Sequence, residues 1–218
     1  MRIVIAGGHG KIALLLAGEL SRRGDEVHSL IRKTEQSAEV AATGAKPVLL
    51  DLEHAAEDEV LAAVTAADAA VFAAGAGAGS GVARKYTVDR DGAIRLARAA
   101  EQAGVRRFLQ ISSMGAGQPP DPSRDEVWAA YIDAKTQAEN DLHPRRLDWT
   151  ILRPGRLTDT DPTHHITLTP PPAPYGSIPR ADVATVLADL LPAENTHGKT
   201  LELISGDTPI PEAIRALT

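Results

Sequence analysis

The hydrophobic pattern along this chain alternates between short β-type runs and longer stretches with helical spacing, a rhythm that predicts repeated strand–helix–strand units. Ile3-Val4-Ile5-Ala6 reads as a strand buried on both faces, and Lys11 to Arg23 as the helix after it, closed by Gly24. Val27 to Ile31, Pro47 to Leu50, Ala69 to Ala73, Arg107 to Ile111 and Trp149 to Arg153 are the strands that follow. Between them the helical pattern covers Thr34 to Ala42, Glu57 to Thr65, Val88 to Ala103 and Val127 to Leu142, with Gly44 and Gly104 closing two of these helices. Units of this kind predict an α/β fold built on a doubly wound parallel β-sheet.

The character changes after Pro154-Gly155. Thr158 to Tyr175 is rich in Pro, Thr and Asp, and its Pro170-Pro171-Pro172 run cannot join a central strand, so the stretch reads as loop. A helix over Ala181 to Leu191, a strand over Thr200 to Ile204 and a terminal helix from Glu212 complete the pattern. No internal repeat or linker interrupts it. Residues 1–218 therefore read as one domain, in which 155–218 contribute a small loop-rich lobe on the substrate side.

Composition narrows the range of functions. A net charge of −6 and an aromatic content of 3% argue against nucleic acid and against an anionic membrane surface as partners, and point to a small molecule. No run has the length and apolarity of a signal segment or a membrane span. The absence of cysteine removes disulfides, thiolate metal sites and cysteine nucleophiles, and fits a reducing cytoplasm.

Gly7-Gly8-His9-Gly10 joins the first strand to the first helix, and with Ala13 it has the spacing G-x-x-G-x-x-A. A missing side chain lets a pyrophosphate approach, the helix-start N–H groups of Lys11 and Ile12 favour its charge, and small Ala13 lets helix and strand pack closely. A ligand-free glycine turn is the plainer alternative, but the placement between strand and helix favours a dinucleotide. At the end of the second strand, where NAD sites carry an acid for the ribose 2′-hydroxyl, stands Ile31-Arg32-Lys33. Two cations suit a 2′-phosphate, so NADP(H) is favoured, while nearby Glu35 keeps NAD(H) open.

Ser112 and Ser113 end the fifth strand, and Tyr131 and Lys135 lie in the helix after it. Residues four apart share a helical face, so the phenol and the ammonium can serve one substrate, and a neighbouring cation favours a phenolate. Trp128, on a similar face, reads as core packing ahead of a border to the substrate pocket, and Met114, next to Ser113, as lining that pocket. Adjacent His164 and His165 lack ligand spacing and read as surface loop rather than as a metal site.

In order along the chain, the glycine turn, the Ser-Ser strand end, Tyr131-Ile132-Asp133-Ala134-Lys135, Leu152-Arg153-Pro154-Gly155 and Arg180-Ala181-Asp182-Val183-Ala184 resemble the short-chain dehydrogenase/reductase family. The similarity is greatest to its extended and atypical, NmrA-like branches. The resemblance implies a Rossmann fold and hydride transfer to a small carbonyl or from an alcohol. It implies Tyr131 as acid/base, Lys135 as its electrostatic partner and ribose anchor, and Ser113, or Ser112 on the other face, as the group polarising the reacting oxygen. It further implies that Asp51, in Leu50-Asp51-Leu52, approaches the adenine, although a helix N-cap is an equal reading. Ala73-Ala74-Gly75 would let the cofactor cross the strand ends, and it resembles the family's Asn-Ala-Gly-type turn without the Asn. Pro154 would turn the chain beside the nicotinamide, and Arg180 and Asp182 would be a structural helix-start pair. Two competing functions share this fold: a cofactor-sensing regulator without turnover, and a sugar-nucleotide epimerase or dehydratase, which normally has a larger C-terminal lobe. The resemblance favours a monomer. Substrate contacts fall to the loops around Ser80, Pro120 and Thr163.

Overall fold

β1 (Arg2–Ala6) is an inner strand of the sheet, and its apolar side chains divide by parity: Ile3 and Ile5 face one side, Val4 and Ala6 the other, all fully buried. The computed structural model describes every residue from Met1 to Thr218 except Ala78, Pro120 and Pro122. β1 pairs in parallel with β2 (Glu26–Ile31), which is followed by the short helix α2 (Ser37–Ala42) and pairs with β3 (Lys46–Leu49). On its other edge β1 pairs with β4 (Ala69–Phe72), followed by β5 (Arg107–Ile111) and β6 (Asp148–Pro154), all parallel. The order β3-β2-β1-β4-β5-β6 reverses between β1 and β4, and at such a switch point the strand ends open a crevice.

Two helical layers cover the sheet. α1 (Lys11–Arg22) buries Ala13, Leu16, Ala17 and Leu20, a stripe at helical spacing, and packs beside α7 (Arg180–Leu190) in the cluster that contains Ile3 and Ile5. On the opposite face α3 (Glu57–Val64), α5 (Ala93–Ala103) and α6 (Glu126–Leu142) cover Val4, Ala6 and Phe108 with Val60, Leu96, Ala100, Ala138 and Leu142. No described helix is long and apolar enough to cross a membrane.

The structure differs from the periodicity in two places. The fourth crossover becomes helical at Val82 rather than Val88, and Lys85–Gly92 forms a π-helical segment between the short helix α4 (Val82–Arg84) and α5. Its buried residues are Lys85, Asp89 and Gly92, so a hydrophobic pattern has nothing to detect there. The region after Pro154 holds more strand than its prolines suggest. β7 (Arg156–Thr158) pairs with β9 (Ser177–Pro179), and β8 (His165–Thr169) runs antiparallel to β10 (Lys199–Ser205), which extends the sheet beyond β6. β11 (Thr208–Pro209) closes that edge, and α8 (Ile210–Arg215) packs against it. β8 buries Ile166 and Leu168 in alternation and ends at Thr169, immediately before the proline run. Pro154 itself completes β6 rather than stopping it.

Arg107, buried at the start of β5, ties the sheet to the end of α7. Its guanidinium donates to the Leu191 carbonyl at 3.0 Å, the Leu190 carbonyl at 2.6 Å, the Asp148 carbonyl at 2.7 Å and the Thr150 hydroxyl at 2.9 Å. These oxygens include the orphan carbonyls of a helix C-terminus, where a cation is favoured. Burial without a directly paired carboxylate pulls the Arg107 pKa down to about 10. Arg107→Met keeps the volume but strips the carbonyls of their donor; it is expected to lower unfolding free energy by about 3 kcal/mol, read by urea denaturation. A loss below about 1 kcal/mol would show that water replaces the guanidinium at no cost.

Candidate functional site

The turn after β1 is shaped by close contacts with both neighbouring strands. Gly7 has φ +76°, and a Cβ there would lie 2.5 Å from the Ala74 Cα that follows β4. A Cβ on Gly8 would lie 2.5 Å from the Ser29 Cβ of β2, and the Gly8 N–H donates to the Leu30 carbonyl at 2.9 Å. Gly8 thus serves strand packing, and it does not line the crevice. Gly10 is the N-cap of α1, in extended conformation, with no capping side chain and no acid in the first turn. The first N–H groups of α1 are left for a ligand, and their partial positive charge suits a phosphate.

A cleft of about 250 Å³ opens over these strand ends. Of the residues the sequence places at a cofactor, Gly7, His9, Gly10, Arg32, Asp51, Leu52, Ala73, Ala74 and Gly75 line it. Gln36, Glu53 and Arg84 also line it and carried no motif. The His9 ring bridges Gln36 at 3.3 Å and Glu39 at 3.0 Å. Asp51 accepts the Glu53 N–H at 3.0 Å and contacts the His54 ring at 3.0 Å, so it braces its own turn; α3 takes Ala56 as its N-cap instead. Burial works against ionisation of Asp51, but the His54 and Glu53 hydrogen bonds outweigh it and hold the carboxyl below its usual value. Glu53 is held by Arg84 and accepts the Thr87 hydroxyl at 2.7 Å; the Arg84 contact, chiefly, lowers its pKa.

The side chains of four other residues expected at the cofactor do not line the cleft, although Lys11 and Ile12 supply the first N–H groups of α1. Lys33 is exposed, and its N–H bonds the Gln36 side chain at 3.2 Å. The Lys11 ammonium reaches Asp159 at 2.6 Å, and Arg180 meets the same carboxylate at 2.6 Å. Ile12 packs on the core, and the buried Pro154 accepts the Met114 N–H at 3.1 Å. Arg180 and Asp182 do not pair: Asp182, fully buried, accepts the backbone N–H groups of Thr163 and His164, each at 2.9 Å. Ser80 donates to the Gly77 carbonyl at 2.8 Å, and Pro120 lies outside the described residues. Among the described residues no group of three potential metal ligands is assembled.

Beyond the cleft, α6 presents Tyr131 and Lys135. Tyr131 is half-buried, 5.5 Å from the Trp128 ring, so Trp128 pairs with the tyrosine rather than filling the core. Lys135 is buried, with Nζ 3.2 Å from both the Ile111 carbonyl and Asp89 Oδ1, and 5.7 Å from the centre of the Tyr131 ring. The Asp89 contact has ion-pair distance without hydrogen-bond geometry. Asp89 Oδ2 accepts the Ala76 N–H at 3.0 Å, joining the turn after β4 to Lys135. Asp89 was invisible in the sequence because its partners come from two other segments.

The two serines separate. Ser113 is half-buried, and its hydroxyl donates to the Met114 carbonyl at 3.2 Å. Ser112 is buried and donates to Glu139, which also takes the Arg153 guanidinium. The Ser112 hydroxyl is committed to that buried ion pair.

A switch-point cleft, an uncapped helix start and a glycine turn at its floor define a dinucleotide-binding Rossmann protein of the short-chain dehydrogenase/reductase type. The NAD(P)H-binding family model matches residues 7–194, and the chain belongs to that family. It is 34% identical over 218 residues to the uncharacterized sugar epimerase YhfK of Bacillus subtilis (strain 168), covering 100% of both chains. Among solved structures it matches a Bacillus halodurans protein named as an NAD-dependent epimerase/dehydratase, with TM-score 0.92, 36% identity and 100% coverage of both. The oxidoreductase ylbE of Lactococcus lactis matches with TM-score 0.86 and 29% identity, over 100% of this chain and 96% of that one.

Gly7→Ala must displace the Ala74 backbone and adopt a strained φ. It is expected to cost about 2–4 kcal/mol of stability and to abolish dinucleotide binding, measured by thermal unfolding and by NADPH fluorescence titration. Unchanged binding would remove the turn from the cofactor site.

Proposed function

We propose that this protein is an NADP(H)-dependent oxidoreductase acting on a small carbonyl compound or the corresponding alcohol. The observation that carries the reading is the placement of half-buried Tyr131 beside buried Lys135, next to a cleft whose floor is the glycine turn. The cofactor supplies or accepts hydride. The chain supplies the rest: Tyr131 gives a proton to the carbonyl oxygen or removes one from the alcohol, and Ser113 hydrogen-bonds that oxygen. Lys135, held by Asp89 and the Ile111 carbonyl, fixes positive charge beside the ring. Tyr131→Phe is expected to bind cofactor normally and to lose about 100-fold or more in kcat, followed as NADPH oxidation with a panel of quinones, aldehydes and ketones. Turnover equal to that of the parent would take Tyr131 out of the mechanism.

The choice of NADP(H) rests on Arg32. It lines the cleft and, among the described residues, enters no ion pair, so its fork is available to a 2′-phosphate. Arg32→Ala is expected to weaken NADPH by about 10-fold to 100-fold and leave NADH unchanged, in parallel titrations. Equal weakening of both would assign Arg32 to the adenine instead.

The name of the Bacillus subtilis relative favours a second reading, epimerisation with a retained cofactor. The same Tyr131 and Lys135 would serve it. NADPH consumed in proportion to product supports the reductase, and product formed from a sugar nucleotide without net NADPH loss supports the epimerase.

A further inference from the structure

Two lysines flank Tyr131, and among the described residues only one of them has a carboxylate partner. Lys135 and Asp89 form a buried pair, with side chains 4% and 1% exposed, so positive charge on that side is matched by negative. Lys85 approaches the same ring, with Nζ 5.5 Å from its centre, and the residue is only 8% exposed. Its hydrogen bond is to the Gly77 carbonyl at 3.0 Å. Among the described residues no carboxylate lies within ion-pair distance of it.

An ammonium has three donors, and one neutral carbonyl satisfies neither the other two nor the charge. Burying such a group is unfavourable, and an apolar side chain would fill the same place at lower cost. The π-helical segment nevertheless holds it in position. Asp89 takes the Ala76 N–H while Lys85 takes the Gly77 carbonyl, so one turn of this helix fixes the ammonium at the seam between the β4 turn and Tyr131. A buried cation with two open donors lacks an anion.

In the binding mode proposed above the cofactor would not provide one there: its phosphates would fall to the start of α1 and to Arg32, and the cleft is lined by Arg84 and Val88 but not by Lys85 between them. Lys85 is turned towards the tyrosine instead.

We propose that Lys85 determines substrate specificity by taking a carboxylate next to the carbonyl that Tyr131 protonates. The substrate class is then a 2-oxo acid and the product a 2-hydroxy acid. Two donors remain on Lys85, the number that a carboxylate's two oxygens take. In the reaction the carbonyl carbon gains a hydride, its oxygen gains the Tyr131 proton, NADPH becomes NADP⁺, and the carboxylate is unchanged. This rests on the assignment of Tyr131 as acid/base, but its test needs no turnover.

The test is titration of the NADP⁺-loaded protein with phenylglyoxylate and with its neutral amide, by calorimetry. The expected result is that the anion binds about tenfold or more tighter than the amide. Lys85→Met is expected to reduce the anion to the level of the amide, and Lys85→Arg to restore part of the difference. NADP⁺ affinity stays constant throughout, and thermal unfolding of Lys85→Met is unchanged or raised. Equal affinity for the two probes in the parent protein, including no binding of either, overturns the proposal. So does an anion preference that survives in Lys85→Met, or a loss of NADP⁺ affinity in its place. Inactivity of the parent towards every carbonyl, with the anion preference intact, would overturn the oxidoreductase reading alone.

Discussion

The close approach of the first turn to both neighbouring strands is the constraint on which the rest of the site depends. With no side chains at Gly7 and Gly8, the chain leaves β1 within contact distance of Ala74 on one side and Ser29 on the other. That sets the start of α1 directly over the strand ends, with its N–H groups aimed at the crevice and no side chain capping them. The turn after β4 is then part of the cleft wall, and everything attached to that turn is positioned relative to the cofactor.

Asp89 carries this positioning to the chemical end of the site. It holds Ala76 of the β4 turn with one oxygen and stands opposite Lys135 with the other. A buried ammonium and a buried carboxylate are each costly alone, and removing either leaves the other uncompensated. The pair therefore locks α6 to the cofactor wall. A second buried pair, Glu139 with Arg153, anchors the same helix to β6 and takes the Ser112 hydroxyl, which leaves Ser113 as the serine beside the open side of the strand end. Arg107 does a related task at the far end of the sheet with carbonyls in place of a carboxylate.

Local features were readable in the chain because their physics is local. Short β-type runs marked the six parallel strands, glycines marked helix ends such as Gly24 and Gly104, and the four-residue spacing placed Tyr131 and Lys135 on one helical face. The residues that surround these groups were not readable. Glu53 with Arg84, Asp89 with Lys135, and Glu139 with Ser112 and Arg153 join segments far apart in sequence, and each depends on which strand ends become neighbours. The π-helical segment escaped for a different reason: its inward side is polar, so burial there follows ion pairing and backbone hydrogen bonds rather than hydrophobicity.

The sequence by itself determined the six parallel strands and most of the helices between them, the glycine turn and the identity of the phenol–ammonium pair, since these follow from backbone sterics, apolar period and helical geometry. Only the tertiary structure decided which charges are compensated. It withdrew the Ser112 hydroxyl and the Lys11 ammonium into contacts of their own, left Lys33 exposed outside the cleft, brought Asp89 to Lys135 and, among the described residues, gave Lys85 no acid. Electrostatic pairing acts over a few ångströms in space, and distance in space is what a linear pattern does not contain.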